Sequence, residues 1–459
     1  MVNSIWSSMA KFAPHAWLAL SEKALTKFGF ELASRLTISA VYIALFVVYS
    51  ALRLANLFVI EEVRQFPDTP VYTAIASLSF WNPHFWVGPR PWTVPLFYKL
   101  LGNHPTSIAL FQLSLSIISW GLLAFFVARA VRLSRLKPIV FGIILLFSLS
   151  AEIILWDGIM LCDSISLSLM ALFIAGWLWL LEGWDLRKVA LVVTLAFLWS
   201  FTYDTNAWVV LMIAAILLAG AAARRIQGRY VLIASVFAVI FAMNDVSANR
   251  ARRWVVAFMN NVGMRILPSP EKTAYFAELG MPVTPALMQR TEKKAWSDNW
   301  AFFKDPALQQ FRDWLYTYGK SSYLRFLLSH PSITTLEPLR HPEDLLAPEL
   351  TPYAPVGFSP MLRGVFAEII YPKKWPLPWV WAAAIVLGLT IGLRTWRYNN
   401  AFLVPLGLIL LVYPHATLIW HGDPNEIGRH ALQVGVYFRL ALWILLLLAA
   451  DALLARVTV

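Results

Sequence analysis

A series of long apolar segments, separated by short charged turns, constrains this chain more than any other feature. A helix needs roughly 20 mostly apolar residues to cross the hydrocarbon of a bilayer, and it must satisfy its own backbone hydrogen bonds there. Ten segments of this kind lie near residues 36–60, 105–128, 138–156, 164–181, 188–203, 206–223, 230–247, 376–393, 401–420 and 431–450. With 59% hydrophobic and 14% charged residues, the chain does not have the composition of a soluble domain. We therefore predict an all-α polytopic membrane protein with about ten transmembrane helices.

Lysine and arginine are distributed unevenly between the predicted loops. Short loops on the cytoplasmic side of a membrane carry an excess of these residues. The basic loops are those near residues 129–137, 187–188, 224–229 and 394–397. The alternate turns carry aspartate and glutamate instead. This pattern predicts that both termini are cytoplasmic and that a candidate active site among the acidic turns is extracytoplasmic.

The same topology predicts four parts of the chain. Residues 1–33, interrupted by charges and Pro14, are expected to form a cytoplasmic or interfacial amphipathic segment. Residues 34–247 form a seven-helix transmembrane module with an outer loop at 61–104. Residues 248–375 form an extracytoplasmic domain, mostly helical in its first two thirds and loop-like over 330–372. Residues 376–459 contribute three C-terminal transmembrane helices.

Composition and loop length exclude several classes of function. The net charge of +12 is explained by basic loops facing anionic lipid, so we expect no nucleic-acid partner. The single cysteine excludes an intramolecular disulfide and a cysteine-based metal site. No predicted cytoplasmic loop is long enough for a nucleotide-binding βαβ unit. An enzyme acting at the outer face would therefore draw its activated substrate from the lipid, for which polyprenyl-phosphate-linked groups are the natural candidates.

One acidic residue, Asp68, follows the first apolar segment in a proline-containing loop. Residues 69–79 are predicted to form a short helix with Pro70 in its first turn, which makes Asp68 its N-cap. Capping is one interpretation of this residue. The other is a carboxylate that performs chemistry at the membrane surface. A proline-rich loop at 88–95 follows closely, and such a loop at a membrane surface is costly unless it lines a cavity.

Four short motifs resemble those of a known family. Residues 67–72, Pro-Asp-Thr-Pro-Val-Tyr, resemble the Pro-Asp-x-x-x-Tyr of the first outer loop in GT-C glycosyltransferases, the integral-membrane transferases of the aminoarabinose and protein-O-mannose type. Residues 90–102, which begin Arg-Pro-Trp-Thr-Val-Pro and end Leu-Gly, resemble the proline-rich segment that follows. Residues 161–167 resemble the acidic opening of the family's fourth span. Residues 428–433 correspond loosely to its late Arg-Tyr-Leu-Leu-Pro segment.

The resemblance implies a membrane glycosyltransferase that moves a sugar from a polyprenyl-phosphate donor to a glycan, lipid or protein acceptor. It implies that Asp68 is the base or the carboxylate that orients the acceptor. It implies a second catalytic acid in Asp163, for which capping of the fourth span is the alternative interpretation.

Cationic residues near the same face are candidates for holding the donor phosphate. These candidates are Arg429, His430 and Arg439 around the tenth span, together with Arg90 and Tyr72 of the first outer loop. Arg439 lies about eight residues inside its span, where an arginine usually faces a cavity or a partner. The alternatives are headgroup contact for Arg429 and snorkelling of Arg439 to the headgroups.

Further candidates lie near the same boundary. Asp157 precedes the fourth span, Arg250 and Arg253 follow the seventh, and His421 follows the ninth. An anionic substrate or lipid headgroups would each explain the two arginines. Paired carboxylates also bind Mg or Mn through oxygen ligands, so Asp68 and Asp163 are candidates for holding a divalent cation. The sequence leaves proton transfer and metal binding both open.

Two other classes of protein share the predicted helices. A lipid-linked glycan flippase or another transporter would also have buried charges, but carriers usually show two related halves and broken helices at the midplane. A non-catalytic GT-C-like subunit would need no acids in its outer loops. Because most acids cluster at one surface and no halves are evident, an enzyme is favoured.

Overall fold

The computed structural model describes residues 39–374, 376–395 and 399–457. Within these ranges the chain is helical and forms no strand, apart from one isolated bridge between Arg64 and Ile159. By internal contacts the chain divides into two units, Met1–Leu52 and Arg53–Val459. The predicted amphipathic segment at 1–33 lies outside the described residues.

In the described part of the chain, seven helices are long and apolar enough to cross a membrane, which makes this a multi-pass membrane protein. They are Ser39–Phe58, Pro105–Ala130, Asp163–Leu181, Asp204–Ala222, Tyr230–Arg250, Asn400–Gly422 and Leu432–Ala455. Two further predicted segments are helical but shorter, Leu186–Ser200 with 15 residues and the apolar part of Leu377–Thr395. The total of ten spans therefore stays a prediction.

The predicted span at 138–156 is broken. It consists of Lys137–Phe147 and Ala151–Gly158, which meet at an angle of 60°. The hydroxyls of Ser148 and Ser150 donate to carbonyls of the preceding turn, at 2.8 and 2.6 Å. Such back-bonding competes with the helical ladder and is a known cause of bends. An apolar composition alone did not reveal this break.

The region between the first two spans contains three short helices, Thr69–Ser77, Pro83–Trp86 and Thr93–Leu100. A small buried core holds it together, formed by Ile75, Phe85, Trp92 and Phe201. Phe201 follows the helix Leu186–Ser200, so this core fastens the loop to the helices beneath it. The helix predicted at 69–79 is present, with proline in its first turn.

Residues 254–370 form a second helical region. Its helical segments are Trp254–Asn261, Val262–Ile266, Pro270–Glu278, Pro285–Met288, Ser297–Lys304, Pro306–Leu308, Gln309–Trp314, Leu315–Gly319, Lys320–Ser329, Pro331–Arg340, Pro342–Leu346, Thr351–Tyr353 and Gly364–Ile370. The prediction of a loop over 330–372 was wrong, because this stretch contains several helices. Pro331 and Pro342 stand in the first turns of two of them, where a missing N–H costs little.

An aromatic stripe packs the interior of this region. Phe311, Trp314, Leu315 and Phe326 are buried in one hydrophobic cluster, against which Tyr323 and Leu327 pack. The stripe was open to two interpretations, core or sugar stacking. Its burial identifies it as core, so it supplies stability rather than a carbohydrate surface.

Candidate functional site

Three residues from distant parts of the sequence, Asp68, Asp163 and Arg429, lie together. Arg429 Nη2 is 3.3 Å from Asp68 Oδ2, and Arg429 Nε is 3.8 Å from Asp163 Oδ2. Arg429 Nη1 also contacts Glu426 Oε2 at 2.7 Å. Arg90 forms an ion pair with the other oxygen of Asp68. We call these five residues the Arg429 cluster.

The carboxylate of Asp68 is not used as a helix cap. Asp68 does occupy the N-cap position of the helix Thr69–Ser77, and its backbone carbonyl accepts from the amide of Val71 at 3.1 Å. Its side chain makes no capping hydrogen bond and faces the two arginines instead. The loop is held independently by Thr69, whose hydroxyl donates to the carbonyl of Met160 at 2.7 Å. Capping therefore does not account for this side chain.

Asp163 is the first residue of the spanning helix Asp163–Leu181, whose N-cap is Cys162. The first turn of a helix favours negative charge, because its amides are partly unpaired. Asp163 Oδ1 accepts a hydrogen bond of 2.9 Å from the hydroxyl of Tyr203. Within the described residues, its Oδ2 and the facing Nε of Arg429 are buried without a hydrogen-bond partner. The carboxylate is thus held on one side and only loosely paired on the other.

The cluster has an accessible side and a buried side. The side chains of Asp68 and Arg90 are 26% and 35% exposed, whereas those of Asp163 and Arg429 are only 2% and 3% exposed. Arg90 lies 5.8 Å from the ring centre of Tyr72, whose hydroxyl donates to Cys162 Sγ at 3.1 Å. The side chain of Glu426 is 33% exposed, so a ligand approaching the cluster would meet Asp68, Arg90 and Glu426 before the two buried residues.

Electrostatics give the neighbouring groups defined charges. Burial by itself lowers the pKa of Arg429, but its neighbours, Tyr203 and Asp163 foremost, raise that pKa well above the usual value. The pKa of His430 falls to about 3 because of burial and of the adjacent Arg429 charge. Burial raises the pKa of Cys162 to about 12. At neutral pH these shifts correspond to a charged Arg429 beside a neutral His430 and a protonated Cys162 thiol.

Two further phosphate-binding candidates occupy different surroundings. The ring of His430 meets that of Tyr203 edge-on at 5.9 Å, at the margin of the cluster. Arg439 instead donates to the carbonyls of Leu346 and Pro372, at 2.6 and 2.7 Å. These contacts fasten the segment before the eighth predicted span to the last helix. A role of Arg439 in binding phosphate stays a prediction.

Asp157, the nearest acid to Asp163 in sequence, belongs to another pair. It forms an ion pair with Arg53 of the first spanning helix and accepts from the hydroxyl of Ser164 at 2.9 Å. Arg53 also donates to the carbonyl of Ser148 at 3.1 Å, next to the break described above. In the part of the chain that the structure describes, no hydrogen bond or ion pair joins Asp157 to the Arg429 cluster.

The remaining candidates lie apart from the cluster as well. Arg253 makes two hydrogen bonds of 2.8 Å to the carboxylate of Asp204. Arg250 is exposed at the end of its helix. His421 Nε2 is 3.0 Å from the carbonyl oxygen of Thr334. Among the described residues, no hydrogen bond or ion pair links these candidates to Arg429 or Asp68.

Three important residues were missed by the sequence analysis. Glu426 stands three positions before Arg429, a spacing that brings side chains together on a helix and would have revealed the pair. Arg53 lies inside an apolar span, where a charge calls for a partner. Tyr203 precedes Asp204 at the start of a span, and no pattern around it indicates its contact with Asp163.

Asp68 and Asp163, the two residues predicted to bind a divalent cation, both lie next to a positively charged side chain. The guanidinium of Arg429 faces the carboxylates of both Asp68 and Asp163. Within the described ranges, no group of three or more His, Cys, Asp and Glu side chains is gathered closely enough to hold a metal ion. Metal dependence stays a prediction.

No protein-family model matches this chain, and no curated protein matches it either. The resemblance to GT-C glycosyltransferases thus depends on its four short motifs. Each of those motifs contributes one charged residue to the Arg429 cluster, namely Asp68, Arg90, Asp163 and Arg429.

Proposed function

We propose that this protein is a membrane glycosyltransferase that moves a sugar from a polyprenyl-phosphate donor to an acceptor at the extracytoplasmic face. One observation carries the proposal, which is that four motifs spread along the chain each supply a charged residue to one cluster. Asp68 and Arg429 are separated by 361 positions in sequence. If these charged residues only stabilised the fold, they would not need to come from the four motifs that resemble those of GT-C glycosyltransferases.

Asp68 is the general base in this proposal. It is the more accessible of the cluster's two aspartates, and its side chain is not engaged in capping. It would accept the proton of the acceptor's hydroxyl while the acceptor oxygen forms a bond to the anomeric carbon. The bond between that carbon and the phosphate oxygen breaks, and its electron pair leaves with the polyprenyl phosphate. A base positioned for such a proton transfer contributes about 10²–10⁴-fold to the rate.

Arg90 and Arg429 stabilise the negative charge that develops on the departing phosphate. Arg90 is the accessible cation and meets the donor first. Arg429 is buried and holds Asp68, Asp163 and Glu426 in place. Its positive charge therefore stabilises the departing phosphate from the buried side of the cluster. Fixed cations in a site with little water are among the largest contributions to transfer catalysis.

Asp163 is a positioning residue. Its carboxylate is held by Tyr203 and directs Arg429 towards Asp68. Removing it would leave Arg429 free to pair more tightly with Asp68, which would make that base less available. We expect loss of activity for this reason, although Asp163 need not touch substrate.

The extracytoplasmic location follows from the loop charges. Asp163 begins its spanning helix, whereas the basic residues Arg187 and Lys188 follow the other end of that helix. Because basic loops face the cytoplasm, the Arg429 cluster would lie at the outer surface. In the same orientation, residues 248–375 form an outer domain and both termini are cytoplasmic. This topology has ten spans, two of which are the shorter helices Leu186–Ser200 and Leu377–Thr395.

The test compares purified Asp68→Asn and Asp163→Asn with the parent. Transfer is measured from a radiolabelled pool of polyprenyl-phosphate sugars to acceptors in native membranes. We expect Asp68→Asn to lower the rate by about 10²–10⁴-fold, since the proton acceptor is lost. Asp163→Asn should lower it less.

Asp245→Asn is the matched control. Asp245 is a similarly accessible carboxylate, 37% exposed, whose partner is Lys320 at 3.4 Å. It makes no contact with the Arg429 cluster in the described structure, so its substitution should leave transfer unchanged. Parent-like transfer by Asp68→Asn would show that the catalytic assignment is wrong. Equal losses in Asp68→Asn and Asp245→Asn would show a general effect of charge instead.

A further inference from the structure

A large cavity lies among the spanning helices, away from the Arg429 cluster. Its volume is about 700 Å³, within the range of about 300–1,000 Å³ typical of ligand sites. Side chains from Asp163–Leu181, Asp204–Ala222 and Asn400–Gly422 form most of its wall. Most of these are apolar, including Phe173, Ile213 and Leu411. The interior therefore suits a hydrocarbon chain.

One end of the cavity is basic. Arg224, Arg225 and Arg229 line it there, and all three are exposed. In the part of the chain that the structure describes, no carboxylate lies within ion-pair distance of these arginines. Glu182, an acid in the wall, already pairs with Arg129 at 2.7 Å. The mouth thus presents uncompensated positive charge beside an apolar interior.

Aromatic rings connect the basic mouth to the interior. The guanidinium of Arg229 lies 4.8 Å from the ring centre of Trp184, which contacts Tyr230 edge-on at 5.3 Å. Trp177 stacks on Tyr230 at 6.5 Å, deeper in the same wall. Tryptophan and tyrosine are characteristic of the depth at which lipid headgroups meet hydrocarbon. The mouth therefore has the basic and aromatic residues that are typical of the boundary between lipid headgroups and hydrocarbon.

The cavity is separate from the candidate active site. Asp163, in the Arg429 cluster, begins a 19-residue helix, whereas Leu181 and Glu182 at the cavity mouth stand at its other end. At 1.5 Å per residue, those ends are roughly 28 Å apart. A phosphate bound by the arginines of the mouth could not be the one that reacts beside Asp68.

We propose that this cavity binds an anionic glycerophospholipid from the surrounding leaflet. An acyl chain would occupy the apolar interior, and the phosphate would contact Arg224, Arg225 and Arg229. Basic pockets between transmembrane helices recognise anionic headgroups in this manner. The arginines select an anionic headgroup over a neutral one, and the apolar wall binds the acyl chain of the lipid. This inference does not depend on the proposed glycosyl transfer.

The experiment measures lipid retention by the full chain, purified in detergent, using native mass spectrometry. The probes are phosphatidylglycerol, which is anionic, and phosphatidylcholine, which is neutral overall. We expect the parent to retain phosphatidylglycerol preferentially. A triple variant, Arg224→Gln, Arg225→Gln and Arg229→Gln, should weaken that binding by roughly 100-fold, since each arginine contributes several-fold to an anionic headgroup interaction.

A second variant tests the binding of the acyl chain without changing the charge of the protein. Gly407 lines the cavity, and a Cβ built there meets no atom within 4 Å. Gly407→Leu should therefore fill part of the cavity without disturbing the fold, and it should weaken the binding of both lipids. Arg135→Gln is the matched control, because Arg135 is an exposed arginine of another basic loop and does not line the cavity.

Each outcome decides a part of the proposal. Equal retention of the two lipids by the parent would overturn the headgroup assignment, as would parent-like binding by the triple variant. Parent-like binding by Gly407→Leu would overturn the chain site. If Arg135→Gln loses as much binding as the triple variant, the lipid is held by general surface charge and the proposed site is wrong.

Discussion

Asp157 and Asp163 are six positions apart and equally buried, yet they belong to two different kinds of region. Asp157 is paired with Arg53 and hydrogen-bonded by Ser164, so both carboxylate oxygens are engaged inside the helices. Asp163 is hydrogen-bonded through one oxygen only, and its other oxygen faces Arg429 at 3.8 Å. The Arg429 cluster also reaches the accessible side chain of Asp68.

The difference shows how a membrane protein uses buried charge in two ways. Separating a buried acid from its arginine costs much free energy, because either charge alone would be left in a medium of low dielectric constant. The Arg53–Asp157 pair therefore holds the end of the first hydrophobic segment, at Arg53, against the broken third segment. Buried polar atoms without partners are uncommon and require a reason. For Asp163 Oδ2 and Arg429 Nε, the chemistry that we propose would supply such a reason.

The largest effect on stability is expected from Asp157→Asn. The substitution leaves the buried charge of Arg53 without its carboxylate, and breaking such pairs costs about 3–5 kcal/mol. Unfolding free energy is measured by titration with denaturing detergent. Asp163→Asn is the comparison, because Arg429 keeps Asp68 and Glu426 as partners and should lose far less. Equal destabilisation by the two variants would break the distinction between the regions.

Gly428→Ala tests the position of Arg429. A Cβ at residue 428 would lie 2.6 Å from the Cβ of Pro348, a ring that cannot rotate away. Arg429 must then shift, and a displacement of about 1 Å in a catalytic group can lower the rate about 100-fold. Gly422→Ala is the control, since a Cβ there meets nothing within 4 Å. Unchanged transfer in Gly428→Ala, with the fold intact, would argue against a precisely positioned guanidinium.

Tyr203→Phe removes the hydrogen bond that holds Asp163. A buried polar group that loses its partner costs about 1–3 kcal/mol, and both transfer rate and thermal stability should fall. The control is Tyr98→Phe, because the hydroxyl of Tyr98 donates to the carbonyl of Leu161 at 3.3 Å and not to an acid of the cluster. Equal losses of transfer in both variants would mean that Tyr203 serves packing alone.

The smallest effect concerns pH. The pKa of His430 is about 3 in the folded protein against an ordinary value of 6.5. Below pH 6.5 the unfolded chain therefore takes up a proton that the folded chain refuses, and stability falls as the pH drops. His430→Gln removes this loss, so the variant should be less sensitive between pH 7 and pH 5, by about 1–2 kcal/mol. An unchanged pH dependence of unfolding would show that His430 is charged beside Arg429.

The amino-acid sequence alone indicated a multi-pass membrane protein, and it singled out four of the five residues of the Arg429 cluster. Apolar segments of spanning length require a membrane, because helices are the way such chains satisfy their backbone in hydrocarbon. The charged residues of the four motifs were all candidates before any distance was known. Local patterns also indicated the helix after Asp68, because a proline in the first turn is a local signal.

Which buried charges lie next to each other became evident only from the packing of the helices. Asp157 and Asp163 have similar sequence surroundings, and their partners, Arg53 and Arg429, come from opposite ends of the chain. Pairing at such separations depends on how whole helices pack, which no local pattern records. The same holds for the cavity, whose wall combines several helices with a basic loop. The apolar pattern could place those helices in a membrane, but only their packing leaves a space between them.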